Sequence, residues 1–383
     1  MRIAMIGAKG IPVEAGLSGG IERVVEELAS RLAARKHGVT VYVRPYANQS
    51  RRTEWEGVRL RTLPCIRLRY IETISHVFIS LVDALFRDYD IIHIHGVGPS
   101  TLAWIPRLFA PKAKVVVTFH ARDQFHELNH PVARAVLRWG EWTATHWPHA
   151  TIAVSETLQW FCKKELKKDV YFVPNAVTIP NITHVGTNHV NAMGLEPGKY
   201  ILGMGRLVQF KAFDVAFRAY KDVKSTMPLA IAGARGYDTP YAAKLERLAR
   251  RDDRIRLLGF KSGDALHQLI AHAYAVIHPS RIEGMSLSVL EGMAYGKLVI
   301  MSDIPENREI ADHSALCVPV GNTDALRDAL QWAIQDPAMV RIRGTRARAF
   351  VKEHFSWDPV VEQTEAIYRT VAKASKKSYA HVK

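Results

Sequence analysis

The sequence predicts an α/β protein built from two doubly wound parallel sheets, one in each of two domains, that face a shared cleft. At about 150 residues per domain, its 383 residues suggest two or three compact units, of which two is the simpler count. Short β-branched runs alternate with longer amphipathic segments along the chain, which is typical of βα units that feed a parallel sheet. Between residues 174 and 199 this alternation stops and Pro, Asn, Thr, His and Gly dominate, as in a connection between domains.

The first half of the chain predicts one sheet with its covering helices. We assign residues 1–176 to an N-terminal domain. Its predicted strands span residues 3–6, 39–43, 91–95, 114–119, 151–154 and 170–173, and its predicted helices span residues 21–36, 131–146 and 156–166.

The second half repeats the pattern after a predicted linker at residues 177–199. Residues 200–354 form the C-terminal domain, and residues 355–383 form a last helix with a polar tail. Because ligands bind at the carboxyl ends of strands in such sheets, the expected site lies between the domains. The predicted strands span residues 200–204, 229–233, 255–258, 275–278, 298–301 and 316–318, and the predicted helices span residues 214–224, 241–250, 286–295 and 323–335.

Composition limits the class of partner and the compartment. The net charge of +15 leaves three interpretations open: a solvated basic surface, a membrane-surface role, or nucleic-acid binding, for which no long basic run is present. Cys65, Cys162 and Cys317 lack the spacing of a disulfide framework or a zinc site, which favours a reducing cytoplasm. No run of 18 uncharged apolar residues predicts a membrane span.

A glycine-rich loop follows the first strand. Gly19 and Gly20, after residues 16–18, stand before the helix predicted from residue 21. Such glycines let backbone N–H groups approach a phosphate at the positive end of a helix, although a plain surface loop explains them as well. The spacing is not GxGxxG, so a hydride-transfer enzyme is disfavoured.

Histidines end two strands of the first half. His95 ends residues 91–95, where His93 also lies, and His120 follows residues 114–119. An imidazole at the carboxyl edge of a sheet can donate to a sugar hydroxyl or a phosphate, although each histidine singly is more often structural. We rank His120 first by its position.

Two basic residues follow the first strand of the second half. Gly205 and Arg206 come directly after residues 200–204, and Lys211 follows five residues after Arg206. An Arg and a Lys between a strand and a helix can clamp two phosphates, although such residues are common on any loop.

Residues 277–296 give the strongest signal, a strand, a tight loop and a helix with two glutamates eight residues apart. Glu283 can accept hydrogen bonds from sugar hydroxyls, and Glu291 can hold the two ribose hydroxyls. Singly, Glu291 could be a solvated helix residue and Glu283 an acid that offsets the helix dipole. The backbone N–H groups predicted to face a phosphate at the helix start belong to Gly284, Met285, Ser286 and Leu287.

These motifs together resemble the family-four retaining glycosyltransferases of the GT-B fold, which has two Rossmann-like domains. The resemblance rests on residues 19–22, His120, residues 154–155, 173–177 and 205–211, and the string 279–296, and so extends over nearly the whole chain. It implies that Arg206 and Lys211 bind the donor diphosphate, Glu283 the transferred sugar and Glu291 the ribose. It also implies that the last helix crosses back onto the first domain.

The sequence departs from this family's pattern near the expected donor pocket. Met285 and Ser286 stand where many relatives have Phe-Gly, and Ala212 stands where glycine is often found after the clamp lysine. Lys297 and Leu298 replace a small residue and a proline, and no acid follows His120 directly, since Asp123 comes three residues later.

We therefore expect a retaining glycosyltransferase that moves a sugar from a nucleotide sugar to a saccharide or glycolipid acceptor, in polysaccharide or glycoconjugate synthesis. The expected catalytic set is His120, Glu283, Arg206 and Lys211. No cofactor and no metal are expected, because no Asp-x-Asp pair ends a strand and a basic clamp can neutralise the diphosphate. The resemblance also implies that residues 1–176 bind the acceptor and that residues 200–354 bind the nucleotide sugar. For retention, it implies front-face attack assisted by the leaving phosphate.

Alternatives from other classes stay open at this point. An epimerase or phosphorylase on the same fold would differ in its need for an acceptor, and a basic nucleic-acid- or membrane-binding protein would have no transferase activity. Nucleic acid is not the expected partner. Residues 67–78 mix basic and apolar side chains and fit either an amphipathic core helix or peripheral contact with an anionic membrane. The expected location is the cytoplasm, with the inner membrane face as the alternative.

Overall fold

The computed structural model describes residues 1–13, 19–48, 50–68, 71–122, 131–236 and 239–379, the last six of them by their backbone alone. The chain divides into two units. The first unit combines Met1–Asn175 with Trp357–Lys383, and the second is Ala176–Ser356. Three features of the sequence lie outside the described residues, namely residues 16–18 of the glycine-rich loop, Arg69 and Asp123.

The first unit contains an eight-stranded sheet. Its strands are β1 (Arg2–Ile6), β2 (Gly38–Val43), β3 (Glu54–Trp55), β4 (Val58–Thr62), β5 (Ile91–His95), β6 (Lys114–Phe119), β7 (Ala150–Ala153) and β8 (Tyr171–Phe172). Their order in the sheet is β3-β4-β2-β1-β5-β6-β7-β8, and every pairing except that of β3 with β4 is parallel. The central strands β5 and β6 are buried at every position, as continuous apolar strands covered on both faces are.

Helices cover both faces of this sheet. They are α1 (Gly20–Ala34), α2 (Glu72–Leu85), α3 (Val97–Ser100), α4 (Trp104–Phe109), α5 (Pro131–His146), α6 (Glu156–Lys164) and α15 (Trp357–Tyr379). The connection through α1 runs from β1 to one side, whereas those through α2 to α6 run the opposite way. Right-handed crossovers therefore place α2 to α6 on the face opposite to α1. Contacts agree, because α15 packs on α1, while α3 packs on both α2 and α5.

The strands predicted in this half are confirmed, with ends shifted by one residue or less. The pattern missed β4, because its apolar residues alternate with Arg59 and Arg61 and do not form a β-branched run. The helical part of the amphipathic segment 67–78 is α2, which begins at Glu72 and continues to Leu85.

The second unit contains a six-stranded parallel sheet in the order β11-β10-β9-β12-β13-β14. Its strands are β9 (Ile201–Met204), β10 (Leu229–Ala232), β11 (Ile255–Gly259), β12 (Ala275–His278), β13 (Leu298–Ser302) and β14 (Leu316–Val318). Its helices are α7 (Asn188–Ala192), α8 (Phe213–Lys221), α9 (Thr239–Ala249), α10 (Gly263–Ala271), α11 (Leu287–Ala294), α12 (Pro305–Ala311), α13 (Thr323–Gln335) and α14 (Pro337–His354).

The order reverses direction at β9, which has β10 on one side and β12 on the other. Ligands in open α/β sheets bind beyond the carboxyl ends of the strands at such a switch point. Residues 177–199, predicted as a connection, lie in the second unit, where α7 packs on α10. Within the ranges described above, no helix is long and apolar enough to cross a bilayer.

Candidate donor and acceptor sites

The site of the second unit is centred on an ion pair between Lys211 and Glu283. Lys211 Nζ donates to Glu283 Oε1 at 2.6 Å, and both side chains are largely buried, with 14% and 12% of their surfaces exposed. Lys211 follows β9 by a short 3₁₀ turn, and Glu283 lies between β12 and α11. The two strands at the switch point thus bring together residues that are 72 positions apart in the sequence.

A hydrogen-bonded chain extends from Glu283 into the first turn of α11. His278, at the carboxyl end of β12, lies with Nε2 3.0 Å from Glu283 Oε1 and with Nδ1 3.2 Å from Ser288 Oγ. Ser288 Oγ in turn lies 3.0 Å from Ser286 Oγ. Because a carboxylate only accepts, a neutral His278 with its proton on Nε2 donates to Glu283 and accepts from Ser288.

The charges of His278 and Glu283 are set by their surroundings. Burial lowers the pKa of His278 against the opposing effect of Glu283, which keeps the imidazole neutral at pH 7. Burial alone would raise the pKa of Glu283, but the Lys211 ammonium and the hydrogen bond from His278 outweigh it and hold that pKa well below its usual range. Glu283 is therefore an anion held in one orientation.

Close backbone packing sets the position of Lys211. A Cβ added to Gly233, at the end of β10, would lie 1.8 Å from the carbonyl oxygen of Gly205, so the two chain segments meet only because Gly233 has no side chain. The stem of Lys211 runs across Gly205, where an added Cβ would lie 3.4 Å from Lys211 Cε. Ala212 has a left-handed backbone with φ 51°, the conformation that glycine adopts most readily.

The loop from Gly284 to Leu287 leads directly into α11. Its first three residues are buried, and the N-cap Ser286 makes no side-chain hydrogen bond to the helix amides. The hydroxyl of Ser286 is directed to Ser288 instead. Ser280, two residues after the end of β12, is fully buried, and its Oγ has no hydrogen-bond partner among the described residues.

The same elements carry the remaining predicted donor residues. Arg206 directly follows Gly205 and is half-buried, and Glu291 is half-buried in the second turn of α11. The structure thus places Arg206 beside the backbone that Lys211 crosses, and Glu291 on the helix that begins at the serine pair.

The site of the first unit contains three histidines in one buried cluster. His95 Nδ1 lies 3.2 Å from His120 Nε2, and His93 contacts the hydroxyls of Tyr368 and Thr118 at 2.6 and 2.7 Å. Burial lowers the pKa of His93 to about 3 and that of His95 well below its usual value. His95 Nε2 has no hydrogen-bond partner among the described residues.

The glycine pair before α1 is already engaged. Gly19 is the N-cap of α1, and its N–H donates to Glu22 Oε2 at 2.6 Å, while Glu22 Oε1 accepts from the backbone N–H of Lys9 at 3.0 Å. The buried carboxylate of Glu22 thus occupies the positive helix end at which a phosphate was predicted, beside Gly20.

Two groups of this arrangement were not singled out from the sequence. His278 is a histidine at a strand end, the same signal that selected His120, but it was treated only as part of a longer string. Ser288 carries no local signal, because its role depends on the ring nitrogen of His278. Within the part of the chain that the structure describes, no group of three or more His, Cys, Asp or Glu side chains could hold a metal ion.

Comparisons with protein families match both halves of the chain. Residues 18–179 match the model of Glycosyltransferase Family 4, and residues 198–336 match that of Glycosyl transferases group 1. The O-antigen chain mannosyltransferase B of Escherichia coli is 28% identical over 46% of this chain, and the match spans 44% of that relative. The gpi3 subunit of the phosphatidylinositol N-acetylglucosaminyltransferase of Schizosaccharomyces pombe is 24% identical over 92% of this chain and 78% of that protein.

Solved structures resemble the chain over nearly its whole length. Sucrose-phosphate synthase from Thermosynechococcus elongatus has a TM-score of 0.82 at 20% identity, covering 97% of this chain and 99% of that one. HepE from Anabaena, in complex with UDP and glucose, has a TM-score of 0.79 at 16% identity, covering 97% and 100%. With the two parallel-sheet units, these neighbours confirm the predicted GT-B fold.

Proposed function

The chain belongs to the family-four glycosyltransferases, and we propose that it transfers a sugar from a nucleotide-sugar donor to a saccharide or glycolipid acceptor with retention of anomeric configuration. The observation that carries the proposal is the hydrogen-bonded chain Lys211–Glu283–His278 at the start of α11. It combines a cation and an anion of fixed orientation at the switch point of the second sheet.

The donor diphosphate is neutralised by cationic and backbone groups. Lys211 has three N–H donors, of which Glu283 uses one, so its ammonium can bind a phosphate oxygen and stay paired. Arg206 and the first amides of α11 add positive charge where the leaving group becomes more negative. These groups supply the charge that a metal ion would otherwise contribute, so we propose that the reaction needs neither metal nor cofactor.

Glu283 orients the transferred sugar. Its low pKa keeps it ionised, so that it accepts hydrogen bonds from sugar hydroxyls, and the hydrogen bond from His278 fixes its direction. Glu291 is assigned to the ribose hydroxyls, and the buried hydroxyl of Ser280 is available to the same ligand.

We assign His120 to the acceptor, where an imidazole can donate to or accept from a sugar hydroxyl. In the transfer step, the bond from the anomeric carbon to the phosphate oxygen breaks and a bond to the acceptor oxygen forms on the same face. The acceptor proton passes to the departing phosphate. Glu283 is held through Oε1 by Lys211 and His278, which suits a binding group better than a covalent nucleophile.

The names of the relatives guide the choice of substrates. UDP and glucose bound to HepE make UDP-sugars the first donors to test, and the phosphatidylinositol in the name of the gpi3 relative makes lipid-linked acceptors the first acceptors. The activity would belong to polysaccharide or glycoconjugate synthesis in the cytoplasm, with peripheral contact at the inner membrane face. Nucleic acid is not proposed as a partner.

The test is thermal stabilisation by nucleotide diphosphates and nucleotide sugars, because a ligand that binds only the folded protein raises its melting temperature by mass action. We expect a shift with one nucleotide in the wild type and in the control Glu353→Ala, whose exposed glutamate lies on α14, and none in Glu291→Ala. The product formed with an acceptor is then analysed by NMR for its anomeric configuration. Conversion of donor without acceptor would indicate an epimerase, and no shift with any nucleotide would refute the proposal.

A further inference from the structure

Exposed apolar side chains are concentrated in one unit. Among the described residues, 14 of the 17 large apolar side chains that are strongly exposed belong to the first unit, although the second has a comparable sheet and core. Scattered exposed apolar residues are ordinary, but an accumulation on one part of a molecule marks an interaction surface.

The accumulation is clearest on α5. Val132, Val136, Trp139 and Trp142 follow one another at intervals of four, three and three residues, which places them along one side of the helix. Their exposed fractions are 63%, 38%, 51% and 38%. The two tryptophan rings stack on each other with centroids 5.1 Å apart. An apolar stripe of this kind is unfavourable in free energy when it is exposed to water.

A second stripe lies on α2, where Ile71, Ile74 and Phe78 are exposed at helical spacing, with Ile66 and Leu68 before the helix. Both helices cover the same face of the sheet by the handedness of their connections, and α3 packs on both. Their outer sides therefore point away from the sheet in the same direction. We call the outer sides of α2 and α5 together the α2/α5 face.

Among the described residues on and directly before these two helices, the exposed charges are positive. Arg134 and Arg138 on α5, and Arg67 before α2, are exposed. The acidic residues of the two helices add little free negative charge to the surface. Glu141 is 3% exposed, and Glu72 and Asp83 are each paired with arginines. The α2/α5 face thus combines apolar and aromatic side chains with basic ones.

We propose that the α2/α5 face docks on the surface of an anionic lipid bilayer. Tryptophan favours the level of the lipid headgroups, and the arginines attract anionic lipids, so the two kinds of side chain act on the same partner. An acidic protein would satisfy the arginines but not the full length of both apolar stripes. The proposal deepens the proposed function, on which it rests for the lipid-linked acceptor, since docking would hold the first unit where such an acceptor lies.

The test is co-sedimentation of the full-length protein with vesicles of phosphatidylcholine alone and of phosphatidylcholine mixed with phosphatidylglycerol. We expect binding to the mixed vesicles that weakens with salt, and little binding to phosphatidylcholine. Trp139→Ala/Trp142→Ala should bind at least tenfold more weakly. Arg134→Gln/Arg138→Gln should bind about thirtyfold more weakly, from the attraction of two basic side chains to an anionic surface.

The matched control is Arg341→Gln/Arg346→Gln, which removes two exposed arginines from α14 of the second unit and should bind like the wild type. Unchanged melting temperatures show that the variants fold. Equal binding of the tryptophan variant and the wild type would overturn the proposal. So would self-association that these substitutions abolish, because the α2/α5 face would then bind a second copy. Vesicle binding does not require turnover, so its failure and the failure of sugar transfer are separate results.

Discussion

Breaking the Lys211–Glu283 ion pair tests whether the candidate donor site has the geometry described. Glu283→Gln removes the anion but keeps the shape, and Lys211→Met removes the cation but keeps an apolar stem across Gly205. At 2.6 Å and an effective dielectric of about 20, the attraction is about 6 kcal/mol. Desolvation of both ions opposes it, so the net value of the pair is much smaller.

Each single substitution should destabilise the protein more than the double substitution. A variant without Glu283 leaves the ammonium of Lys211 buried without a counter-ion, at a cost of about 3 kcal/mol, since both side chains keep a little exposure. For a unit of this size, that lowers the melting temperature by about 6–12 °C. The double substitution leaves no buried charge and should be close to the wild type.

The assay is a double-mutant cycle on the free energy of unfolding of the second unit, which is measured by urea denaturation. The exposed pair Lys199–Glu196, at 2.8 Å in the same unit, is the control and should show a coupling below about 0.5 kcal/mol. If the effects of Glu283→Gln and Lys211→Met simply add, the two side chains are not coupled and the reasoning is refuted.

The dependence on pH gives an independent check of the sign. The pKa of folded Glu283 lies below the ordinary carboxyl value, so the unfolded chain binds the proton first as the pH falls. The stabilisation by ionised Glu283 is complete above an ordinary pKa of about 4.3 and is lost as the pH falls towards the folded value. The gap between wild type and Glu283→Gln should therefore close below about pH 4.

Three further predictions follow from contacts elsewhere. His95→Leu should lower kcat about tenfold with little change in the KM for donor, because it removes the contact that orients His120. His95→Asn, whose side-chain amide can take the place of Nδ1, should restore most of the lost kcat. Gly233→Ala should lower the free energy of unfolding of the second unit by more than about 3 kcal/mol, because the added Cβ clashes with backbone. Gly198→Ala, at φ +75° with open space around it, should lower it by about 1 kcal/mol. Both values are measured by denaturation. Burial lowers the pKa of Lys297 to about 8, so between that pH and about 10.4 the unfolded chain binds more protons than the folded one, and the free energy of unfolding rises with pH. Lys297→Met should therefore be more stable than the wild type at pH 7. In thermal melts, the difference between their melting temperatures should narrow towards pH 10.

The predictions from the sequence succeeded where one signal decides the local structure. The runs of β5 and β6 gave both strands with their observed ends, because both are rich in β-branched residues and are buried at every position. The short strand β4 was missed because only β-branched runs were used as strand signals, whereas Arg59 and Arg61 alternate with apolar residues, as in a half-buried strand.

The candidate site was predicted residue by residue but not as a set of contacts. The rule that ligands bind at the carboxyl ends of strands selected Lys211 and Glu283 separately, yet nothing local indicates that they pair. Nothing local indicates either that His93 contacts the hydroxyl of Tyr368, 275 positions away. Such contacts depend on the order of the strands and on which side chains of the last helix face them, and no motif of the sequence specifies either.

The arrangement of the first unit in two segments has a consequence for synthesis. The ribosome makes Met1–Asn175 first, then all of the second unit, and only afterwards Trp357–Lys383. The second unit therefore has its complete sequence before the first unit does, and nascent chains that stop near residue 356 lack α15. In those chains His93 is without the hydroxyl of Tyr368, and the partly formed first unit must wait for its final helix while its neighbour can already fold.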